Sequence, residues 1–278
     1  MAKQPALGIV TDGGADKLAE SYGRVIENVQ ASALSNQQKN AEYSGDPSTG
    51  SVEIKRFTNS ESKALGTART ANAGVDVKNV PVTVNLNVDR EIVEELKQKD
   101  IDLYGVPDLV ARREKAHQNS MVRELDRAFF AEAESAGSET VLDEGLTIVE
   151  KVEALIQSVE TISNDYVDGI DRENLSLDLI PAAYGALENY IDTLPNANGV
   201  DIKTFHNVRI FSNTRQTKDA ICMANGSIGQ PVSVTPYVSE KIPFFNGVAV
   251  QLYYSYGTKA ITPDLIKWAT IVSTEVSA

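Results

Sequence analysis

The sequence predicts an α+β protein, and three features carry that prediction. The segment NVPVTVNLNV sets Val80, Val82, Val84, Leu86 and Val88 at strict two-residue spacing, the pattern of a half-buried strand. From Leu109 to about Ala136 there is no Gly or Pro, and Val122, Leu125 and Phe129 mark a stripe on one long helix. Beyond about residue 172, the strand-like LSLDLI, NVRIFSN and GVAVQLYYSY are interspersed with the helical PAAYGALENYI. The 278 residues suit one large unit or two closely packed subdomains, and a hydrophobic share of 42% is enough for a real core.

In chain order, Leu18, Tyr22, Val25, Ile26 and Val29 recur at helical spacing within Leu18–Leu34, flanked by polar, turn-forming sequence. A helix this isolated is marginal in water, so the spacing predicts an arm that packs on the body or on a second copy. After the Gly45-Asp46-Pro47 turn, SVEIKRF alternates Val52 and Ile54 against Glu53 and Lys55, and with NVPVTVNLNV it predicts a long hairpin. The intervening TNSESKALGTARTANAGVDVK holds almost no large apolar residue, which is unusual for a connection inside a compact domain. Asp89 is the expected N-cap of a short helix over REIVEELKQKD, with Ile92, Val93 and Leu96 on one side. Asp108 is expected to cap the long helix, with His117 facing solvent among Lys115, Gln118 and Asn119. Gly137 ends that helix, and Val149, Val152, Ile156 and Val159 predict a further amphipathic one.

Charge and chemistry narrow the function. A net charge of −13 argues against direct nucleic-acid binding, which draws its affinity from Lys and Arg on phosphates. Cys222 is the single cysteine, so no intrachain disulfide forms, and with two distant histidines no metal site or cofactor is expected. No apolar run approaches the roughly 18 residues of a membrane span, and the start MAKQPALGIVTDGG does not resemble a secretory signal. Phosphate-loop, nucleophile-elbow, HExxH and dinucleotide fingerprints are all absent. Asp165, Asp168, Asp171 and Glu173 in NDYVDGIDREN miss the spacing of a calcium loop and read as a solvated turn. One pattern stands out: residues 52–88 hold Lys55, Arg56, Lys63, Arg69 and Lys78 against Glu53, Glu61 and Asp76, a net of +2 that leaves −15 on the rest of the chain. A basic, core-free loop on an acidic protein predicts docking on another copy.

These pieces, in this order, resemble the Hong Kong 97-type major capsid proteins of tailed bacteriophages. SVEIKRF, LGTARTANAG, VDREIVEELKQKDIDLYG, VPDLVARREKAHQNSMVRELDRAFFAEA and GIDRENLSLDLIPAAYGALENYI carry the likeness, which covers roughly residues 51–278. The resemblance implies an N-terminal arm (1–50), an extended E-loop hairpin (51–88), a peripheral subdomain with the spine helix (89–171), an axial subdomain (172–246) and C-terminal strands returning to the peripheral subdomain (247–278). It implies a non-enzymatic subunit that self-assembles into hexamers and pentamers of an icosahedral head enclosing double-stranded DNA. Such a subunit assembles in the bacterial host cytoplasm and resides in the virion. A separate scaffolding protein, a portal and a decoration protein are the implied partners, with no membrane and no specific nucleic-acid contact. A Lys–Asn cross-link between subunits is not expected. The candidate intersubunit contacts pair Lys55, Arg56, Lys63, Arg69 and Lys78 with Glu91, Glu94, Glu95, Glu124 and Asp126 of a neighbour. The alternatives are an encapsulin-type nanocompartment shell, or an acidic hydrolase built on Asp165 and Asp168.

Overall fold

One helix of 31 residues, about 46 Å long at 1.5 Å per residue, holds two separate sheets together. The computed structural model describes residues 29, 32–59, 79–97, 99, 106–195, 201–241 and 247–272. Within them a short helix α1 (Leu34–Gln38) precedes a hairpin of β1 (Ser51–Phe57) and β2 (Asn79–Asn85), then β3 (Val88–Lys97) and the long helix α2 (Val106–Ala136). Next come β4 (Ser138–Glu139), α3 (Ile148–Glu160), β5 (Leu175–Leu179), α4 (Pro181–Ala186), β6 (Asp192–Pro195), β7 (Asp201–Phe205) and β8 (Val208–Ser212). The chain continues through β9 (Ala220–Ala224), β10 (Ile228–Gly229), β11 (Val232–Lys241), β12 (Gly247–Tyr256), β13 (Lys259–Ala260) and β14 (Ile266–Ala269).

The larger sheet has the order β4-β14-β9-β5-β8-β7-β6, with β5 parallel to β8 and antiparallel to β9. All five residues of β5 are buried because both faces are covered. Leu175, Leu177 and Leu179 join Val152, Leu155, Ile156 and Val159 of α3 in one core. On the opposite face Ile221 and Met223 pack with Phe129, Phe130 and Ala133 of α2. The start of α3 is fixed by a capping box between Thr147 and Glu150, which satisfies two backbone donors at once. Gly137 ends α2 where a Cβ would stand 2.6 Å from the Ala133 carbonyl and 2.8 Å from Ile266 Cγ2.

The smaller sheet, β11-β12-β3, is antiparallel throughout. Val250, Leu252, Tyr254 and Tyr256 of β12 cover Met121, Val122 and Leu125 at the middle of α2. Val29 and Ala33 complete that cluster, so the described end of the expected arm helix packs on the long helix of its own chain. Leu18, Tyr22, Val25 and Ile26 lie outside the described residues.

Four expectations change. The segment expected as a helix from Asp89 is a strand, because β3 pairs with β12 over ten residues and turns Ile92 and Leu96 inward but Val93 outward. Helix α2 starts at Val106, two residues before the expected cap at Asp108, and Pro107 occupies the first turn, where its missing N–H costs nothing. His117 is 2% exposed rather than solvent-facing. The expected subdomain limits do not follow sheet membership: β11, inside 172–246, pairs with β12, whereas β14, inside 247–278, belongs to the seven-stranded sheet. The single cysteine, Cys222, is fully buried in β9, and burial pushes its thiol up.

Candidate assembly surface

Among the described residues, the apolar anchorage of the hairpin of β1 and β2 lies at its base. Val52, Ile54 and Val84 are buried against Ile261, while Phe57 and Val80, a few residues further out, are 56% and 44% exposed. Gly257 lets the chain after β2 pass closely, since a Cβ there would fall 1.9 Å from the Asn85 carbonyl oxygen. At the outer edge of the anchored part, Arg56 makes a two-pronged ion pair with Asp264, at 2.8 Å for each nitrogen. Its guanidinium carbon also lies 3.9 Å from the centre of the Tyr166 ring. Burial pushes the Asp264 carboxyl up, but Arg56 outweighs it and holds it below its ordinary value. Lys55 is exposed and sits 3.9 Å from Glu53. Lys63, Arg69 and Lys78 lie outside the described residues.

Of the candidate carboxylates, three are already ion-paired inside the chain. Glu94, on the inward face of β3, is bound by Arg113 and lies 2.9 Å from His117 Nε2. Burial pushes this carboxyl up, but His117 and Arg113 outweigh that and hold it at about 2. Glu124 pairs with Arg90 and accepts hydrogen bonds from the Tyr254 and Tyr256 hydroxyls at 3.3 and 3.0 Å. Asp126 is fully buried, accepts the Ser35 backbone N–H at 3.0 Å and lies 3.7 Å from Arg215. The remaining two, Glu91 and Glu95, face outward on β3, where Gln251 donates to Glu91 at 3.4 Å. The same outer face presents Val93, Tyr253 and Val238, which are 53%, 40% and 49% exposed. Register places them on three adjacent strands, with Val93 opposite Gln251, Gln251 opposite Val238, and Tyr253 opposite Glu91.

Two features escaped the sequence reading. Asp178 in β5 is fully buried and accepts the Gln38 side-chain amide at 3.1 Å, and burial pushes its carboxyl up to about 8, with Asp126 adding to the rise. Its signal was a lone acid inside the apolar run LSLDLI. Asp126 had a matching one, four residues after Val122 on the apolar stripe of the long helix. The Arg56–Asp264 pair had no local signal, because 208 positions separate its members. From the expected acidic turn of 164–174, Tyr166 lies against the Arg56 guanidinium and Asn164 donates to Asp264, and no group of three or more His, Cys, Asp or Glu side chains among the described residues is arranged to hold a metal. No helix among them is long and apolar enough to cross a membrane.

No protein-family model matches the chain, and no curated protein matches its sequence. Solved structures do match. The capsid of cyanophage P-SCSP1u is similar over 84% of this chain and 86% of its own, with a TM-score of 0.59 at 11% identity. A virus-like particle from Pyrococcus furiosus is similar over 92% and 99%, with a TM-score of 0.57 at 14% identity. The mature capsid of bacteriophage PhiM1 is similar over 81% and 82%, with a TM-score of 0.52 at 13% identity. The chain has the α+β capsid fold of the Hong Kong 97 type.

Proposed function

We propose that the chain is a major capsid protein, a structural subunit that assembles as hexamers and pentamers into an icosahedral shell around double-stranded DNA and catalyses nothing. The observation that carries this reading is the fold, matched over more than four-fifths of the chain by the cyanophage capsid. The hairpin supports it, because its outer part leaves Phe57 and Val80 exposed, apolar surface that a second copy can cover. The outward face of β3, with Asp89, Glu91 and Glu95 around Val93, is the receiving surface for the basic loop of a neighbour, to which Lys63, Arg69 and Lys78 contribute. A net charge of −13 suits a wall that contains DNA without gripping it. Peripheral and axial subdomains are built on the smaller and larger sheets, and a scaffolding protein, a portal and a decoration protein complete the expected partners.

Expression of the full chain, alone and with the genes beside it, followed by sizing chromatography and negative-stain microscopy, tests this. Closed particles of megadalton mass are the expected result. Subunits that stay monomeric or dimeric across salt, pH and concentration count against it. A nanocompartment shell of the same fold stays the second reading. Particles that co-purify with a protein cargo and never with DNA select that reading.

A further inference from the structure

Arg56 belongs to the basic hairpin that the sequence assigns to a neighbouring copy, yet its guanidinium is ion-paired inside its own chain. Two guanidinium nitrogens reach the two carboxylate oxygens of Asp264 at 2.8 Å each, the planar geometry in which such a pair fixes direction as well as distance. The guanidinium lies over Tyr166, 3.9 Å from the ring centre, which closes a second side. Asp264 is held in turn, because Asn164 donates its side-chain amide to Asp264 Oδ2 at 2.7 Å. The oxygen of that same Asn164 accepts the backbone N–H groups of Tyr166 and Val167 at 2.9 and 3.0 Å, which shapes the turn carrying Tyr166. Past the end of β1, the Asn59 N–H reaches the Asp165 carbonyl at 2.9 Å. The hairpin is therefore gripped twice, by apolar contacts of Val52, Ile54 and Val84 on Ile261 and, further along β1, by this polar clamp. Two separated attachments on one strand remove the pivoting that a single apolar base permits.

We infer that Arg56 is a positioning residue for assembly: the clamp of Arg56, Asp264, Tyr166 and Asn164 fixes the direction in which the hairpin leaves the subunit, so that the loop is aimed before a neighbour arrives. This rests on the capsid reading for its purpose but not for its geometry. Preorganising a binding element raises its effective affinity by removing the ordering cost at the moment of contact. It also reassigns Arg56, since a residue consumed by the clamp acts on the neighbour only through the direction it imposes.

The test uses the full chain as unassembled subunits, with spin labels on cysteines introduced at Asn79 and Glu144, both exposed, while the buried Cys222 escapes labelling. Electron–electron double resonance then reads the distance between the hairpin and the body. The wild-type clamp gives one narrow distribution. Arg56→Gln and Asp264→Asn each broaden it and slow assembly about tenfold, the scale of a lost preorganising contact, while the exchange Arg56→Asp with Asp264→Arg narrows it again and restores part of the rate. Arg56→Lys, which keeps the charge but loses the two-pronged geometry, broadens the distribution to an intermediate degree. Narrow distributions in both single variants overturn the clamp. Broad distributions with a wild-type assembly rate overturn its role in assembly. Should the unaltered chain form no particles, the capsid reading fails, and the distance distributions still decide whether the clamp exists.

Discussion

Gln38 donates its side-chain amide to Asp178 across 3.1 Å, joining α1 to the central strand of the larger sheet over 140 positions of sequence. Gln38 Oε1 and Asp178 Oδ2 find no donor among the described residues, and a proton on Asp178 Oδ2 supplies a second donor within the pair, beside the Gln38 amide. Burial raises this carboxyl from 3.8 to about 8, and the nearby Asp126, itself raised by burial, adds to the effect.

The sign of the pH dependence follows. An acid whose folded value lies above its unfolded one keeps a proton in the folded state that the unfolded chain has released, so stability falls as pH rises from about 4 to about 8. The slope is at most about 1.4 kcal/mol per pH unit for one full proton. Asp178→Asn preserves a donor and an acceptor for Gln38 and removes the titration. Melting temperatures measured from pH 5 to pH 8 are expected to decline less steeply in the variant than in the unaltered chain. Parallel curves show that Asp178 is ionised in the folded protein.

Removing the arm reaches further than lost docking. Deletion of residues 1–40 takes away the Ser35 N–H from Asp126 and the Gln38 amide from Asp178, leaving two buried carboxyls without those donors. Each buried polar group stripped of its partner costs about 1–3 kcal/mol. The truncated subunit is expected to melt well below the full chain before any assembly is attempted, whereas deletion of residues 1–28 spares both bonds and shifts melting far less. Equal melting of the two truncations removes these bonds from the account of stability.

Glu94 makes the opposite contribution. His117 and Arg113 hold its carboxyl at about 2, below the ordinary 4.5, so its stabilisation is present at neutral pH and is lost as pH falls from about 4.5 toward 2. Glu94→Gln leaves the buried His117 without its carboxylate, and a loss of about 1–3 kcal/mol in urea unfolding at pH 7 is expected. The difference between variant and unaltered chain shrinks in acid. A constant difference from pH 7 down to pH 3 contradicts the ion-pair assignment.

What the sequence showed and what it hid divide along a physical line. The strand GVAVQLYYSY, the hairpin of SVEIKRF with NVPVTVN, the long helix and the helix begun by Thr147 were legible because burial imposes its own period on each. DREIVEELK was not, because Ile92, Val93 and Leu96 also fit one side of a helix, and only pairing with β12 decides that Val93 faces out and Glu94 faces in. Glu124 and Asp126 of the long helix read as contacts for a neighbouring copy, yet Glu124, Asp126, Glu132 and Glu134 accept hydrogen bonds from Tyr254 and Tyr256, Ser35, Ala260, and Thr217 with Lys218 respectively. Partners lying 83 or more positions away leave no local trace in the chain.

On the proposed capsid reading, the outward face of β3 serves assembly and not folding. Glu91 and Glu95 project from alternate positions of an edge strand away from the long helix, beside the exposed Val93. Exposed ion pairs contribute at most about 1 kcal/mol each, so reversing these charges has little effect inside a subunit. In a closed shell the same small terms recur at every equivalent contact and set register between copies. Glu91→Lys with Glu95→Lys is therefore expected to leave circular dichroism and melting nearly unchanged while slowing particle formation at low salt. The defect fades as ionic strength rises past about 0.5 M, where screening shortens the reach of charge to a few ångströms. A matching reversal in the loop, Lys63→Glu with Arg69→Glu, is expected to restore assembly in part, because the pairs are then rebuilt with their signs exchanged. Light scattering of the four proteins at low and high salt reads all of this. Wild-type kinetics in the acidic-to-basic variant at low salt assign the docking to Val93, Tyr253 and Val238 alone.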